Sequence, residues 1–164
     1  MQVTIDADVA DNLLVTQTGS TLDLDLAVAN NNVQTIDAVV RMPVLDRVDL
    51  SGVSHVTLSD FDQQELTIDV MGLSYLEGDA LSISNLVVNV SGISRLDFTD
   101  INPLADAEVN LSGMSRATLN MDANASLHGN LEGNSIIFYY GSDVDTALTT
   151  SPFATLKRLG DTRS

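Results

Sequence analysis

The sequence predicts an all-β fold, a parallel β-helix (β-solenoid) built from stacked coils of about 20 residues. Three observations predict it. Glycines recur at nearly constant spacing, apolar residues fall into columns one coil apart, and apolar residues within a coil are spaced by two, as in strands. The 164 residues fit a single domain, which we expect to comprise an irregular N-terminal cap over residues 1–40, regular coils over 41–156 and a tail over 157–164.

The repeat is marked by a four-residue pattern, Ser-Gly-x-Ser, in which x is mostly apolar. Its glycines follow one another at intervals of 20 or 21 residues: Gly52, Gly72, Gly92, Gly113 and Gly133. Residues 151–154, Ser-Pro-Phe-Ala, resemble a degenerate sixth copy. A glycine suits a bend with positive φ or a crowded corner where a Cβ would clash. The last serines of the copies are expected to form an internal hydroxyl ladder, each donating to the next coil.

Apolar columns appear when the copies are aligned. The three clearest are Val48, Ile68, Val88, Val109; Leu50, Val70, Val90, Leu111, Leu131; and Val56, Leu76, Leu96, Ala117, Ile137. Coils stacked at roughly 4.8 Å let every strand hydrogen-bond to its equivalents above and below. An antiparallel sandwich is the alternative, but its hairpins favour Asn-Gly or Asp-Gly pairs, and the sequence contains neither.

The direction of side chains around the repeat glycine is ambiguous. Strict alternation from Leu50 places Gly52 and Ser54 inside. A further apolar column nevertheless favours the inside as well: Val53, Leu73, Ile93 and Met114. A bend at the glycine would reconcile the two patterns.

The two ends of the chain lack the repeat pattern. Segments 13–15 and 22–27 are strand-like and residues 30–32, Asn-Asn-Asn, are typical of a turn. Because exposed terminal strands of a solenoid pair edge to edge, we expect the N-terminal cap and the charged tail to blunt the array.

Composition excludes several partners and chemistries. Asp and Glu number 23 against 7 Lys and Arg, and the net charge of −16 would repel nucleic acid or an anionic membrane. No apolar run approaches the roughly 18 residues of a membrane helix, so no membrane insertion is expected, and the first residues do not have the pattern of a signal peptide. Since cysteine is absent, disulfides and thiolate chemistry are excluded.

Residues 40–54 read Val-Arg-Met-Pro-Val-Leu-Asp-Arg-Val-Asp-Leu-Ser-Gly-Val-Ser and lead into the repeat. This lead, with the copies that follow, resembles the head GIN domain family of bacterial auto-transporter adhesins over roughly residues 3–160. The resemblance implies a right-handed parallel β-helix on the cell surface or in the periplasm, and it brings no catalytic motif or cofactor. The chain departs from the pattern at Met71, Glu132 and Asn134, which loosens stacking at the fifth copy.

One outward column supplies the candidate binding site: His55, Tyr75, Arg95 and Arg116, followed by Ile136. It is a local reversal of the acidic field and could hold a carboxylate-bearing glycan through arginine forks and aromatic stacking. The structural alternative, which we favour, is that the arginine stems and the tyrosine ring cover the sheet while their heads pair with Glu77 and Asp97.

A second outward column contains Asp49, Asp69, Asn89, Asn110 and Asn130. We interpret it as a ladder of stacked amides that supports the strands, with a calcium-like cation site at the two aspartates as the alternative. No metal or cofactor is assigned.

The aromatic residues near the C-terminus form another candidate feature. Tyr139 and Tyr140, after Ile-Ile-Phe at 136–138, are expected to close the core of a terminal coil, the alternative being an exposed contact patch.

The predicted function is a non-enzymatic binding or adhesion-type module outside the cytoplasm, with a polysaccharide or an envelope protein as partner. One alternative is a carbohydrate-active β-helix enzyme, a polysaccharide lyase or hydrolase. It would need clustered acids and a basic residue, yet the chain has a single lysine, Lys157, and its two histidines, His55 and His128, lie in different columns. A structural or regulatory envelope spacer is the other alternative. The oligomeric state is left open.

Overall fold

The structure is a computed structural model that describes residues 2–5, 13–19, 21–26 and 38–163, and its regular elements are all strands. The chain divides into two compact units, Met1–Pro43 and Val44–Ser164. No helix in the described part of the chain is long and apolar enough to cross a membrane.

The first unit contains four described strands: β1 (Gln2–Ile5), β2 (Leu13–Thr18), β3 (Thr21–Leu26) and β4 (Ala38–Arg41). β1 pairs with β4 and β2 pairs with β3, and both pairs are antiparallel. They are therefore not the parallel rungs that a coil, even an imperfect one, would contribute. The turn predicted at residues 30–32 lies outside the described residues, and the capping role of this unit stays a prediction.

The second unit is a β-solenoid of two parallel sheets that share one long strand. Sheet 1 contains β5 (Arg47–Leu50), β7 (Asp62–Val70), β9 (Ser82–Val90), β11 (Leu104–Leu111), the second half of β12 (Arg116–Leu131) and β14 (Asp145–Thr150). Sheet 2 contains β6 (His55–Ser59), β8 (Tyr75–Asp79), β10 (Arg95–Asp100), the first half of β12, β13 (Ile136–Tyr140) and β15 (Thr155–Gly160). Every strand pair within these two sheets is parallel.

The register within each sheet confirms the predicted columns. Val48 pairs with Ile68 and Ile68 with Val88 in sheet 1, and Leu76 pairs with Leu96 in sheet 2. Their side chains alternate inward and outward, and the inward side chains of both sheets join in one core. Parallel stacking is confirmed, and the antiparallel sandwich is excluded for the coils.

The repeat turns carry the chain from sheet 1 to sheet 2, and their glycines are needed for two reasons. Gly72 and Gly92 have φ of 87° and 82°, a conformation that is costly for a residue with a Cβ. A Cβ on Gly92 would lie 2.5 Å from the carbonyl oxygen of Gly72 in the coil before. Both predicted roles, the positive φ and the crowded corner, are confirmed.

The structure settles the ambiguity at the turn. The last serine of the turn points inward, and Ser74, Ser94, Ser115 and Ser135 are buried. The apolar residue before it points to solvent, so the inward placement favoured by the column of Val53, Leu73, Ile93 and Met114 is wrong. The positive-φ glycine reverses the alternation at the bend, as the two conflicting patterns required.

The expected hydroxyl ladder is also wrong in its direction. The Oγ of Ser74 donates to the carbonyl oxygen of Met71, at 2.9 Å, within its own turn. Ser94 Oγ likewise lies 3.0 Å from the oxygen of Ser91, with the oxygen of Gly72 in the coil before at 3.1 Å. These serines therefore close their turns by hydrogen bonds to carbonyl groups and form no file of hydroxyl-to-hydroxyl bonds.

The last coil extends further than the predicted boundary at residue 156. β15 reaches Gly160, and the degenerate turn at residues 151–154 makes the same link between sheets as the clear copies. Polar residues take inward positions in this coil, because Thr146 and Thr150 follow Leu127 and Leu131 in register. Arg158 follows Tyr139 and donates from Nε to the oxygen of Gly141 at 2.6 Å.

Candidate functional site

The predicted row of His55, Tyr75, Arg95 and Arg116 exists as a continuous row on the outward side of sheet 2. Each residue is the first of its strand, in β6, β8, β10 and β12. His55 pairs with Tyr75, Tyr75 with Arg95, and Arg95 with Arg116. We call these four residues the arginine row. They stand together because the turn before each strand ends at the same point of every coil.

The side chains of the arginine row touch one another along the sheet. The rings of His55 and Tyr75 have centroids 4.8 Å apart and are tilted by 34°. The guanidinium carbon of Arg95 lies 5.4 Å from the centroid of the Tyr75 ring, within cation–π range. Three of the four residues thus form one stack.

The two arginines differ in what already neutralises them. Arg95 forms an ion pair with Asp97, with Nη2 2.6 Å from Oδ2, as the structural alternative predicted. Arg116 lies over the ring of Phe138 at 5.3 Å, and within the described residues no carboxylate oxygen lies within 4 Å of it. Arg116 is exposed and is therefore the row's available guanidinium.

Glu77 does not pair with an arginine, contrary to that alternative. It acts instead on Tyr75. The pKa of Tyr75 is raised above its ordinary value, mainly by burial of the phenol and further by the negative charge of Glu77 and Asp97, while Arg95 opposes the shift. The ring is therefore neutral at physiological pH, and its hydroxyl keeps its proton for hydrogen bonding.

The predicted amide ladder runs along the outward side of sheet 1. Asn89 Nδ2 donates to Asp69 Oδ1 at 2.9 Å, Asn110 Nδ2 to Asn89 Oδ1 at 3.1 Å, and Asn130 Nδ2 to Asn110 Oδ1 at 3.0 Å. Each amide uses a donor toward the coil before and an acceptor toward the coil after. The ladder interpretation is confirmed.

The aspartates at the start of the ladder are held by an arginine. Arg47 Nε lies 3.0 Å from Asp49 Oδ1, and its Nη2 lies 2.6 Å from Asp69 Oδ2. The hydrogen bond to Asp49 and the charge of Asp69 raise the pKa of Arg47, so the guanidinium stays charged. Because this cation already bridges both carboxylates, the pair offers no free charge for the alternative, a calcium-like ion. The described residues contain no group of three or more potential metal-ligating side chains.

A shallow groove lies between the amide ladder and the repeat turns, and sequence reasoning did not find it. Its polar lining comprises Asp69, Asn89, Glu108, Asn110, Asn130 and Glu132 with Ser91 and Ser112, and Met71, Val90 and Leu111 complete it. We call it the acidic groove. Glu108 and Glu132 come from different columns, so only the stacking of adjacent columns around the bend could have indicated it.

The aromatic residues of β13 divide between the two sides of the strand. Ile137 is fully buried and Tyr139 packs against the core, so closure of the core is confirmed for these two. Phe138 and Tyr140 point outward and are half-buried, under Arg116 and Arg163.

The second histidine has no partner suited to nucleophilic catalysis. His128 Nδ1 lies 3.6 Å from Asp106 Oδ1 and its Nε2 lies 3.9 Å from Glu108 Oε2, both on the face of sheet 1. The two histidines are on different sheets, in β6 and β12, as their separate columns predicted.

Comparison with protein families identifies the chain. Residues 1–99 match the family described as "Putative auto-transporter adhesin, head GIN domain". The chain belongs to this family. The matched part of the GIN domain includes the first unit and the first three Ser-Gly-x-Ser turns, and it contains three of the four residues of the arginine row. No curated protein and no solved structure matches the chain.

Proposed function

We propose that this GIN domain is a non-enzymatic binding module of the cell surface or periplasm, and that its arginine row binds a carboxylate-bearing glycan. The family name describes an adhesin head, which supports a binding role outside the cytoplasm. One observation carries the ligand class. Arg116 is an exposed guanidinium that rests on Phe138 with no carboxylate near it in the described structure.

The arrangement suits an acidic sugar chain in three respects. An arginine binds a carboxylate by two parallel hydrogen bonds. The ring of Tyr75 and the ring of His55 offer apolar faces for the apolar faces of sugar rings, and the neutral Tyr75 hydroxyl can donate. The row presents one side chain per rung at roughly 4.8 Å, so an extended chain can contact several rungs.

The surrounding charge makes the row selective. The chain carries a net charge of −16, so a polyanion meets repulsion everywhere except near a local cation. Asp97 sits beside Arg95 and weakens that position for an anion, which leaves Arg116 as the main anchor. A ligand with isolated carboxylates, spaced by neutral sugars, fits this pattern better than a densely charged polymer.

The test is a glycan array followed by calorimetric titration of acidic oligosaccharides that contain uronic or sialic acid. We expect Arg116→Ala to weaken binding at least tenfold and Arg95→Ala to weaken it less. Arg47→Ala is the matched control, because it makes the same charge change on the other sheet and should leave affinity unchanged.

Two outcomes would replace the proposal. Equal affinity of the Arg116→Ala and wild-type proteins, or no acidic glycan bound at all, would remove the arginine row as a binding site and favour the spacer. Release of shorter products from an acidic polysaccharide would instead favour the lyase or hydrolase.

A further inference from the structure

The third residue of the repeat turn forms an exposed apolar file along one edge of the solenoid. Its members, with the neighbouring Met71, are between 53 % and 82 % exposed: Val53, Met71, Leu73, Ile93, Met114 and Phe153. Asn134 is the one polar residue at this position among the six turns. We call the file the apolar ridge, and its five rungs from Val53 to Phe153 span about 24 Å.

The fold itself does not require apolar side chains on this ridge. The backbone of the turn is set by its glycine and closed by its serine, and the amide of Ile93 already donates to the oxygen of Gly72 at 2.9 Å. Polar Asn134 occupies the same position with the same backbone bond, from its amide to the oxygen of Gly113 at 2.8 Å. An exposed apolar surface of this length in a soluble protein indicates an interaction site.

The two flanks of the apolar ridge carry opposite charge. On one side, in sheet 2, lies the arginine row. On the other side, in sheet 1, lies the acidic groove, where Glu108 and Glu132 contribute carboxylates. Arg116 and Glu108 flank the same turn, residues 112–115, from opposite sides.

We propose that the apolar ridge docks a second copy of this chain, with the two-fold axis parallel to the solenoid axis. A rotation about that axis exchanges the two flanks, so the arginine row of each copy lies beside the acidic groove of the other. Arg116 of one copy then lies near Glu108 of the partner, and the same contact occurs twice. A two-fold axis perpendicular to the solenoid would instead place arginine against arginine and carboxylate against carboxylate.

The size of the surface sets the expected strength. A ridge of about 24 Å with flanks about 20 Å across gives roughly 500 Å² per copy, below the approximately 800 Å² of a standard stable interface. The net charge of −16 on each copy adds long-range repulsion, which salt screens. We therefore expect a weak, reversible dimer that strengthens as salt rises from low to physiological concentration.

The test is sedimentation equilibrium of the full chain from the micromolar to the millimolar range, without glycan. We expect dimer formation in the wild type and an increase of at least tenfold in the dissociation constant for Ile93→Ser. Val44→Ser is the matched control. Val44 is also exposed and apolar but lies off the ridge, so its replacement should leave association unchanged.

Charge reversal tests the orientation of the two copies. Arg116→Glu and Glu108→Arg should each weaken the dimer, and the double variant should recover it. A chain that stays monomeric up to 1 mM, or a dimer that Ile93→Ser does not weaken, would overturn the proposal. A dimer strengthened by Arg116→Glu alone would overturn the parallel arrangement. Since no glycan is present, these results are independent of the glycan test.

Discussion

At the scale of single residues, the repeat glycine separates two demands that usually occur together. Gly52 and Gly92 both have positive φ, 76° and 82°. A Cβ on Gly52 would meet nothing within 4 Å, whereas one on Gly92 would lie 2.5 Å from the oxygen of Gly72. The first glycine is needed for its backbone conformation alone, and the second for conformation and for space.

This difference predicts unequal costs for the same substitution. Gly52→Ala should lower the free energy of unfolding by roughly 1–2 kcal/mol, the cost of a left-handed residue with a Cβ. Gly92→Ala should cost at least about 2 kcal/mol more, because the turn must also move away from the coil before. Urea unfolding monitored by circular dichroism measures both. Equal costs would show that the coils are not in close contact at the turn.

The titration of Tyr75 tests the contacts of the arginine row directly. Burial and two carboxylates raise its pKa above 10.0, and Arg95 lowers it. Arg95→Gln should therefore raise the pKa further, and Glu77→Gln should lower it toward the ordinary value. The carbon shift of the Tyr75 ring by NMR gives each value, with Tyr75→Phe to assign the signal.

The same shift fixes the sign of the pH dependence. Below the ordinary pKa the phenol is protonated in both the folded and the unfolded chain, so its stabilising effect is fully present. As pH rises through the raised pKa of the folded state, the unfolded chain has already lost its proton and stability falls. If Arg95→Gln and the wild type gave the same Tyr75 pKa, the guanidinium would not lie over the ring.

At the scale of strands, the amide ladder links four coils through side chains alone. Asn110 donates to Asn89 at 3.1 Å and accepts from Asn130 at 3.0 Å, so it is bonded in both directions. Its Nδ2 also lies 3.3 Å from Glu108 Oε1. A carboxylate in its place would lose the donor and repel Glu108.

We expect Asn110→Ala to lower the free energy of unfolding by about 1 kcal/mol, since two exposed hydrogen bonds are lost. Asn110→Asp should cost more than the alanine variant, because of the repulsion. Asn134→Ala, at an exposed turn position, is the control and should stay within about 0.5 kcal/mol of the wild type. An aspartate variant as stable as the wild type would contradict the ladder.

Strand stacking was predictable from the sequence because it repeats. A fixed offset of 20 or 21 residues aligns Val70 with Val90 and Asn89 with Asn110, and the structure pairs both. Side-chain direction at the turn was not predictable by the same means. Alternation assumes an extended backbone, and a glycine at positive φ breaks it, so Ile93 and Ser94 exchanged the sides that their hydrophobicity favours.

The site was predictable in part. The column that became the arginine row follows from the offset, but its contacts depend on rotamers. Arg95 turns to Asp97 and Arg116 turns to Phe138, although both hold the same place in their coils. The acidic groove and the antiparallel strands of the first unit gave no repeat to read, so they required the structure.

At the scale of the whole molecule, the solenoid ends its core with polar residues. In the last coil Thr146, Thr150 and Arg158 occupy files that buried apolar residues fill elsewhere. A further apolar coil stacked on them would bury hydroxyls and a guanidinium without partners, at a cost that disfavours end-to-end growth. Lateral association through the apolar ridge avoids this cost, because it leaves the polar end in water.

The constant offset has a consequence for how such a molecule changes over generations. Duplication of a gene segment that encodes one complete winding would add a layer and shift every later residue by the same step, so all existing neighbours would remain matched. The adhesive face would lengthen by roughly 4.8 Å for each added layer. Reach can thus be adjusted by copying, with no need to redesign a single contact.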